Sequence, residues 1–284
     1  MSERDKAARP AWDGVIEPPV PERLGKPRER GWTMVIDKGL GLNVIDDLMQ
    51  IAAPVIDVLK LSFGTSALFS RDVLKEKVRT VTAHGVYCMP GGTLQEVAIW
   101  QGVLDRYFER ARELGFNAIE VSDGTIEMDA RTRADAITKA VKAGFRVLSE
   151  VGKKDPADAQ PMAALAEVVN ADLDGGAFMV IMEAREAGKG VGIYDASGLP
   201  KEAEIEAFLR GVRDPDRILW EAPLGPQQRY LVLRFGPNVN LGNVAPEDIL
   251  ALEALRCGLR GDTLKRAWLA DRGRGGAAPG RSNR

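Results

Sequence analysis

The sequence predicts a single (β/α)8 barrel, the TIM-barrel class of α/β fold. Three observations predict it. Eight short apolar runs rich in β-branched residues each end in polar or glycine-rich sequence. Amphipathic helical stretches follow these runs in regular alternation. No G-x-G-x-x-G motif follows the first run, where GLGLN (39–43) stands instead. The missing motif disfavours the alternative, an open doubly wound sheet with a dinucleotide turn.

The eight predicted strands are short and evenly distributed along the chain. They lie at 33–39, 55–64, 86–92, 118–124, 146–152, 178–185, 218–223 and 239–244. Three of the intervening helices are marked clearly by their periodicity, at 74–85, 103–115 and 134–145, and they end at Gly85, Gly115 and Gly144. Glycine is favoured just after a helix because it adopts the left-handed conformation. The next strand then begins almost at once, as in βα repeats.

Composition places the barrel at residues 31–270, between two tails. Residues 1–30 are rich in Pro, Arg and Glu without periodicity, which predicts a tail or an arm. Residues 271–284 are rich in Gly and Arg and are predicted to be disordered. A tail of this kind could touch RNA, but a solvated tail is the simpler interpretation.

Charge and cysteine content exclude several classes of protein. The net charge of −2 gives no general footprint for nucleic acid. Cys88 and Cys257 are expected to be reduced thiols. The sequence shows neither an apolar run of membrane-spanning length nor the apolar core of a signal peptide. We therefore expect a cytoplasmic protein.

Charged and polar residues stand where the predicted strands end, which is where barrel enzymes carry their active sites. The set comprises Asp37, Lys38, Lys60, Ser62, Glu120, Ser122, Asp123, Glu150, Lys153, Lys154, Glu183, Arg185, Glu221 and Asn243. Carboxylates gathered at one mouth need compensating cations, and hard oxygen ligands suit Mg²⁺. A structural network of ion pairs is the alternative interpretation.

Glycine-rich turns after the second, third and eighth strands allow backbone N–H groups to approach an anion. The best candidate is NLGNVAPED (240–248), because the last two loops of many barrels bind phosphate. The single histidine, His84, ends a helix on the opposite face of the barrel. The general acid or base is therefore expected to be Lys, Glu or Asp.

Nine segments together resemble the phosphosulfolactate synthase family. They are TMVIDKGLG (33–41), KLSFGTSAL (60–68), PGGTLQE (90–96), LGFNAIEVSDGTIE (114–127), VLSEVGKKDP (147–156), IMEAREAGKGVGIYD (181–195), WEAPLGPQQ (220–228), FGPNVNLGNVAPED (235–248) and LRCGLRGDTL (255–264). The resemblance extends over residues 30 to 265, in order and at compatible spacing. It implies a barrel fold, a homo-oligomer and the Mg²⁺-dependent addition of sulfite to phosphoenolpyruvate.

The resemblance also implies roles for individual residues. Lys154, the second lysine of the V-G-K-K string, is the implied general acid. We expect Lys153 and partial burial to lower the pKa of Lys154. The other expected roles are metal binding by Glu150, Glu183 and Glu221, anion binding by the catalytic lysines Lys38 and Lys60, and substrate binding by Arg185, Ser122, Asp123, Gly242 and Asn243. YCMPGG (87–92) and Ser62 depart slightly from the pattern of the family.

Two other functions compete with this interpretation. A barrel lyase or aldolase could use Lys154 or Lys60 as a Schiff-base nucleophile. Plant relatives of the family are linked with heat tolerance, so a non-enzymatic role is the second alternative. The intact set of Lys154, Glu150 and Glu183 favours the enzyme.

Overall fold

A computed structural model of the protein describes residues 11–185 and 187–273. Eight parallel strands form one sheet in the order β3-β2-β1-β8-β7-β6-β5-β4, which confirms the predicted (β/α)8 barrel. The strands are β1 (Thr33–Asp37), β2 (Val58–Leu61), β3 (Tyr87–Met89), β4 (Ala118–Val121), β5 (Arg146–Val151), β6 (Met179–Met182), β7 (Ile218–Glu221) and β8 (Asn240–Val244).

Helices connect consecutive strands and cover the outside of the sheet. They are α1 (Leu42–Ala52), α2 (Arg71–Ala83), α3 (Gly92–Trp100), α4 (Leu104–Glu113), α5 (Ala130–Lys142), α6 (Met162–Asp174), α7 (Glu202–Gly211), α8 (Gly225–Phe235), α9 (Ile249–Arg256) and α10 (Gly261–Gly273). Gly85, Gly115 and Gly144 follow α2, α4 and α5 and have positive φ, as the helix-ending pattern predicts. In the described part of the chain, no helix is both long and apolar enough to cross a membrane.

The observed strands are shorter than the predicted ones. The prediction placed the second strand at 55–64, but Ala53–Val55 forms a 3-10 turn and the chain leaves the sheet after Leu61. At Ser62 the backbone turns, because its carbonyl accepts hydrogen bonds from Thr65. Apolar runs therefore predicted the location of each strand, whereas local hydrogen bonds decide where it ends.

The barrel is joined by side chains where β3 and β4 meet. No ladder of backbone hydrogen bonds is found between these two strands in the described residues. The Oδ1 atom of Asn117 accepts a hydrogen bond from the Cys88 backbone N–H at 2.8 Å. The Oε1 atom of Gln95 accepts one from the Ser122 N–H at 3.1 Å. Two side-chain amides thus satisfy backbone donors at this junction.

The interior of the barrel is an apolar layer beneath a charged layer. Val58, Ala118, Leu148, Ile181 and Leu219 are completely buried and belong to one inner cluster. Side chains two positions apart on a strand point to the same side of the sheet. The residues two positions later in these five strands therefore point inward at the C-terminal end, and all five are charged: Lys60, Glu120, Glu150, Glu183 and Glu221.

Gly242 on β8 points into the apolar layer. A Cβ atom there would lie 2.4 Å from Leu219 Cδ2 and 2.7 Å from Met34 Cε. We expect Gly242→Ala to lower the free energy of unfolding by about 1–3 kcal/mol through overpacking. Chemical denaturation would measure this loss. Gly261→Ala is the matched control because no atom lies within 4 Å of its Cβ position, and equal stability of the two variants would contradict the prediction.

The described part of the N-terminal arm lies against the opposite end of the barrel. Arg23 pairs with Glu253 at 2.8 Å, and Arg28 pairs with Asp57 at 2.7 Å. Asp57 also accepts a hydrogen bond from the Thr33 N–H at the start of β1. The arm is thereby fixed beneath the strand that begins the sheet. The prediction of disorder from residue 271 is wrong for residues 271–273, which belong to α10. The other residues of that prediction, 274–284, lie outside the described ones.

Candidate active site

Five buried carboxylates and two ammonium groups meet at the C-terminal end of the strands. The carboxylates belong to Glu96, Glu120, Glu150, Glu183 and Glu221, and each is at most 2% exposed. Glu120, Glu150 and Glu221 lie near the C-terminal ends of β4, β5 and β7, and Glu183 directly follows β6. Glu96 comes from α3. The ammonium groups are those of Lys60 and Lys154. Together these groups line a cavity of about 360 Å³ with Glu96 behind its wall.

Lys60 is the buried cation at the centre of the cluster. Its Nζ atom lies 2.9 Å from Glu120, 3.1 Å from Glu150 and 3.3 Å from Glu221. Burial lowers the pKa of Lys60, but the three carboxylates outweigh it and raise the pKa well above its ordinary value. Lys60 therefore remains a cation and holds three strand ends together.

Lys154 lies nearer the cavity mouth, where its side chain is 30% exposed. Its Nζ atom is 3.0 Å from Glu150 Oε1 and 3.3 Å from Glu183 Oε2. Burial lowers the pKa of Lys154, yet the charges of Glu150 and Glu183 prevail and raise it above its ordinary value. The prediction of a lowered pKa is thus wrong.

Lys153 does not supply the lowering effect that the prediction assigned to it. Its ammonium points away from Lys154 and binds the carboxylate of Asp123 at 3.0 Å. Because neighbouring residues leave a loop in different directions, adjacency in sequence does not place two charges together. Because Glu150 and Glu183 raise its pKa, Lys154 is protonated at neutral pH and is available as a proton donor.

The carboxylates carry more negative charge than the two lysines balance. Burial raises the pKa of Glu120 to about 7, although Lys60 acts in the opposite direction. Burial and the charges of Glu150 and Glu221 raise the pKa of Glu183 well above its ordinary value. The pKa of Glu221 is also raised, by burial first and then by Glu150. The cluster therefore tends to hold protons unless another cation is present.

Other parts of the cavity lining come from the loops after β2 and β6 and from the C-terminal end of β8. Phe63, Arg185 and Asn243 lie there, and each has a positive φ. The N–H of Arg185 donates to Glu183 Oε1, and its guanidinium is directed to the carbonyl of Lys154 at 3.4 Å. The cavity therefore combines a carboxylate floor with an arginine at its edge.

Comparison with known proteins supports one family. The profile of the (2R)-phospho-3-sulfolactate synthase (ComA) family matches residues 21–262. A phosphosulfolactate synthase of Methanothermobacter thermautotrophicus is 48% identical over 247 residues, covering 86% of this chain and 95% of the relative. This chain belongs to the phosphosulfolactate synthase family. The family is one of enzymes, so the predicted membership and the predicted enzyme class are confirmed.

Other proteins are similar to this chain at lower identity. A phosphosulfolactate synthase of Bacillus subtilis is 37% identical, covering 86% of this chain and 96% of the relative. The Arabidopsis thaliana protein HEAT-STRESS-ASSOCIATED 32 is 25% identical, covering 84% and 88%. Dihydrodipicolinate synthase of Agrobacterium tumefaciens superposes with a TM-score of 0.52 at 12% identity, covering 86% and 79%. That structural likeness shows the barrel fold alone.

The structure brings most of the predicted site residues together. Lys60, Lys154, Glu150, Glu183, Glu221, Arg185 and Asn243 all line the cavity. Ser122 lies behind the wall, where its hydroxyl donates to Glu150 at 3.0 Å and orients that carboxylate. It is thus a neighbour of the cluster and has no place in the cavity lining.

Three predicted residues lie elsewhere. Lys38 is exposed after β1 and does not line the cavity. Asp123 is occupied by Arg133 at 2.8 Å and by Lys153. Gly242 is buried in the apolar layer, so its missing side chain serves packing. The turn after β3 was predicted to offer backbone N–H groups to an anion. One of these groups is already used, because the Gly92 N–H donates to Glu120 at 2.8 Å.

Sequence reasoning gave no role to Glu96 and undervalued Glu120. Glu96 accepts hydrogen bonds from the N–H groups of Thr125 and Ile126, which holds the loop after β4. Nothing in its local sequence distinguishes it from a surface helix residue. Glu120 was among the charged residues at the strand ends, and a role in the cluster could have been assigned to it because it follows Ala118 by two positions on an otherwise apolar strand.

Proposed function

We propose that this protein catalyses the Mg²⁺-dependent addition of sulfite to phosphoenolpyruvate, giving phosphosulfolactate. The observation that carries the proposal is the position of Lys154. Its protonated ammonium lies at the mouth of a cavity that is also lined by Arg185, and these two cations suit an anionic substrate above the carboxylate floor. The names of the curated relatives, which are phosphosulfolactate synthases, point to the same reaction.

The proposed reaction forms one C–S bond and breaks no bond of the phosphate ester. The sulfur lone pair of sulfite attacks the methylene carbon, and the π electrons of the double bond move toward the substrate carboxylate. Lys154 then donates a proton to the carbon that bears the phosphate. The neutral amine recovers its proton from solvent. Arg185 binds an anionic group at the edge of the cavity, and Lys60 contributes positive charge while it stays paired with its carboxylates. Asn243 borders the predicted phosphate position.

The donor chemistry of the cluster fits Mg²⁺. Carboxylate oxygens are its preferred protein ligands. Burial, followed by the charges of neighbouring carboxylates, raises the pKa of Glu183 and Glu221, and a bound cation would favour their ionised forms. No group of three acidic, His or Cys side chains in a metal-binding arrangement is found among residues 11–185 and 187–273. The lysine ammonium groups lie between the carboxylates instead. Glu150, Glu183 and Glu221 would hold the ion, which would supply positive charge opposite the developing carboxylate charge.

The Schiff-base alternative is disfavoured by the same electrostatics. An amine must be neutral to attack a carbonyl group. Burial lowers the pKa values of Lys60 and Lys154, but the neighbouring carboxylates outweigh this effect and raise both pKa values. The ammonium forms are suited to charge stabilisation and proton donation.

The first experiment is an assay by phosphorus NMR. The purified protein is incubated with phosphoenolpyruvate, sulfite and Mg²⁺, with EDTA and sulfite-free samples as controls. We expect a new phosphate-ester signal that requires both sulfite and the metal. Absence of this signal from folded protein between pH 6 and 8.5 would overturn the proposal.

The raised carboxylate pKa values predict how metal binding depends on pH. A carboxyl whose pKa is raised by folding stabilises the protein at low pH, and this stability is lost as pH rises toward the folded pKa. For Glu120 the loss extends from about 4.5 to about 7. Without metal, the melting temperature should therefore fall across this range, and added Mg²⁺ should raise it more at pH 8 than at pH 5.5.

Thermal denaturation with and without Mg²⁺ at several pH values would check this prediction. Glu183→Gln is the matched variant because it removes one negative charge at nearly constant volume. It should reduce both the fall in stability and the effect of the metal. An equal effect of Mg²⁺ at both pH values would contradict the prediction.

The homo-oligomer and the cytoplasmic location remain predictions.

A further inference from the structure

Three residues other than glycine have a positive φ in the described part of the chain, and all three line the active-site cavity. They are Phe63 (57°), Arg185 (60°) and Asn243 (52°). The left-handed conformation is unfavourable for residues with a side chain, and asparagine tolerates it best. Residues held in this way cluster at functional sites.

Phe63 is the least expected of the three. Arg185 and Asn243 are polar, but Phe63 is a bulky aromatic residue in a conformation that disfavours bulk. Its side chain is also poorly protected, since the residue is 53% exposed. Backbone strain and an exposed ring both reduce stability, so neither explains why phenylalanine occupies this position.

The local backbone holds Phe63 firmly. The N–H and the hydroxyl of Ser62 both donate to the carbonyl of Asp37, at 3.0 and 2.9 Å. The carbonyl of Ser62 accepts from the N–H of Thr65 at 3.0 Å and from its hydroxyl at 2.8 Å. These four hydrogen bonds fix the backbone on both sides of Phe63, a residue that lines the cavity.

The ring supplies what the rest of the cavity lacks. Lysine, arginine, glutamate, serine, threonine and asparagine form most of the lining. Ile36 and Phe63 are its only large apolar side chains among the described residues, and Ile36 is 4% exposed on β1. A phosphorylated enol acid has charged groups at two positions and a planar pair of carbons joined by a double bond. A flat aromatic face complements a planar carbon surface.

We propose that Phe63 is a specificity-determining residue that packs its ring against the planar carbons of the enol substrate. This inference rests on the proposed function. The ring favours phosphoenolpyruvate over saturated phosphorylated acids, whose second carbon is tetrahedral. It also covers the carbons from water on the side where it packs.

The test uses two variants that remove the ring but differ in the backbone they allow. Phe63→Gly adopts a positive φ freely, whereas Phe63→Ala does not. Phe63→Tyr keeps the ring and serves as the control. For each variant we would measure the melting temperature, kcat, the KM of both substrates and inhibition by 2-phospholactate, the saturated analogue.

Both ring-deleted variants should raise the KM of phosphoenolpyruvate about tenfold, a typical loss for partial removal of a buried aromatic contact. The value of kcat, the KM of sulfite and the inhibition constant of 2-phospholactate should each change by less than about threefold, since the ring makes no special contact with them. Phe63→Gly should melt at a higher temperature than Phe63→Ala. Phe63→Tyr should resemble the wild type.

Each outcome decides for or against the inference. A raised KM for phosphoenolpyruvate in both variants, despite their different stabilities, supports it, because a purely structural role would make the KM follow the melting temperature. An unchanged KM, or an equal loss of affinity for 2-phospholactate, overturns it while the reaction stands. If the wild type forms no product, the proposed function fails and the inference fails with it.

Discussion

Replacing Lys154 by methionine is expected to lower kcat by about 10²–10⁴-fold, the usual contribution of a general acid. The substitution removes the ammonium that lies 3.0 Å from Glu150 and 3.3 Å from Glu183. The carbon that bears the phosphate would then have to take its proton from water. Product formation followed by phosphorus NMR would measure the loss.

Two further variants separate proton donation from charge. Lys154→Arg keeps a positive charge, but the guanidinium is a poor proton donor, so its kcat should also be low. Lys153→Met changes the adjacent lysine, whose ammonium is bound to Asp123. Its kcat should fall much less than that of Lys154→Met. Turnover by Lys154→Met within a few-fold of the wild type would show that another group donates the proton.

Replacing Lys60 by methionine should lower the free energy of unfolding by about 3–5 kcal/mol, the usual result of removing one partner from a buried ion pair. Three carboxylates, those of Glu120, Glu150 and Glu221, would lose a cation within 3.3 Å. Little of the charge can escape to solvent, because each glutamate side chain is 1% exposed. Chemical denaturation at pH 8 would measure the effect.

A second substitution should recover part of this loss. The double variant Lys60→Met, Glu120→Gln removes one of the unpaired charges, so it should be more stable than Lys60→Met alone. Lys75→Met is the control, since Lys75 is exposed on α2 and should change stability by at most about 0.5 kcal/mol. A small loss in Lys60→Met would mean that the carboxylates take up protons instead.

The sequence alone predicted the fold and much of the site, because both follow from the alternation of inward-facing and outward-facing residues along the strands. Lys60, Glu150, Glu183 and Glu221 each follow an inward-facing apolar residue by two positions. Strands of a parallel barrel end at one face, so these charges had to meet there. Strand ends were predicted less well, because hydrogen bonds such as those at Ser62 decide where the chain leaves the sheet.

The partners of the charges could not be predicted from neighbouring positions. Asp37 stands next to Lys38 in the sequence, but it pairs at 2.6 Å with Lys77 of α2. Alternate residues of a strand face opposite sides of the sheet, so Asp37 points toward the helices. Lys38 follows the strand and is exposed. Asp123 is outside the site because it pairs with Arg133 and Lys153, and Lys38 is outside it because the chain leaves the sheet after Asp37.

By itself, the sequence determined the barrel, the face that carries the chemistry and most of the charged residues on that face. Only the tertiary structure decided which charges compensate one another, because the energy of a buried charge depends on distance and burial. Lys154 illustrates both parts. The V-G-K-K sequence predicted that Lys154 belongs to the site. Its protonated state follows from Glu150 on β5 and from Glu183, which directly follows β6.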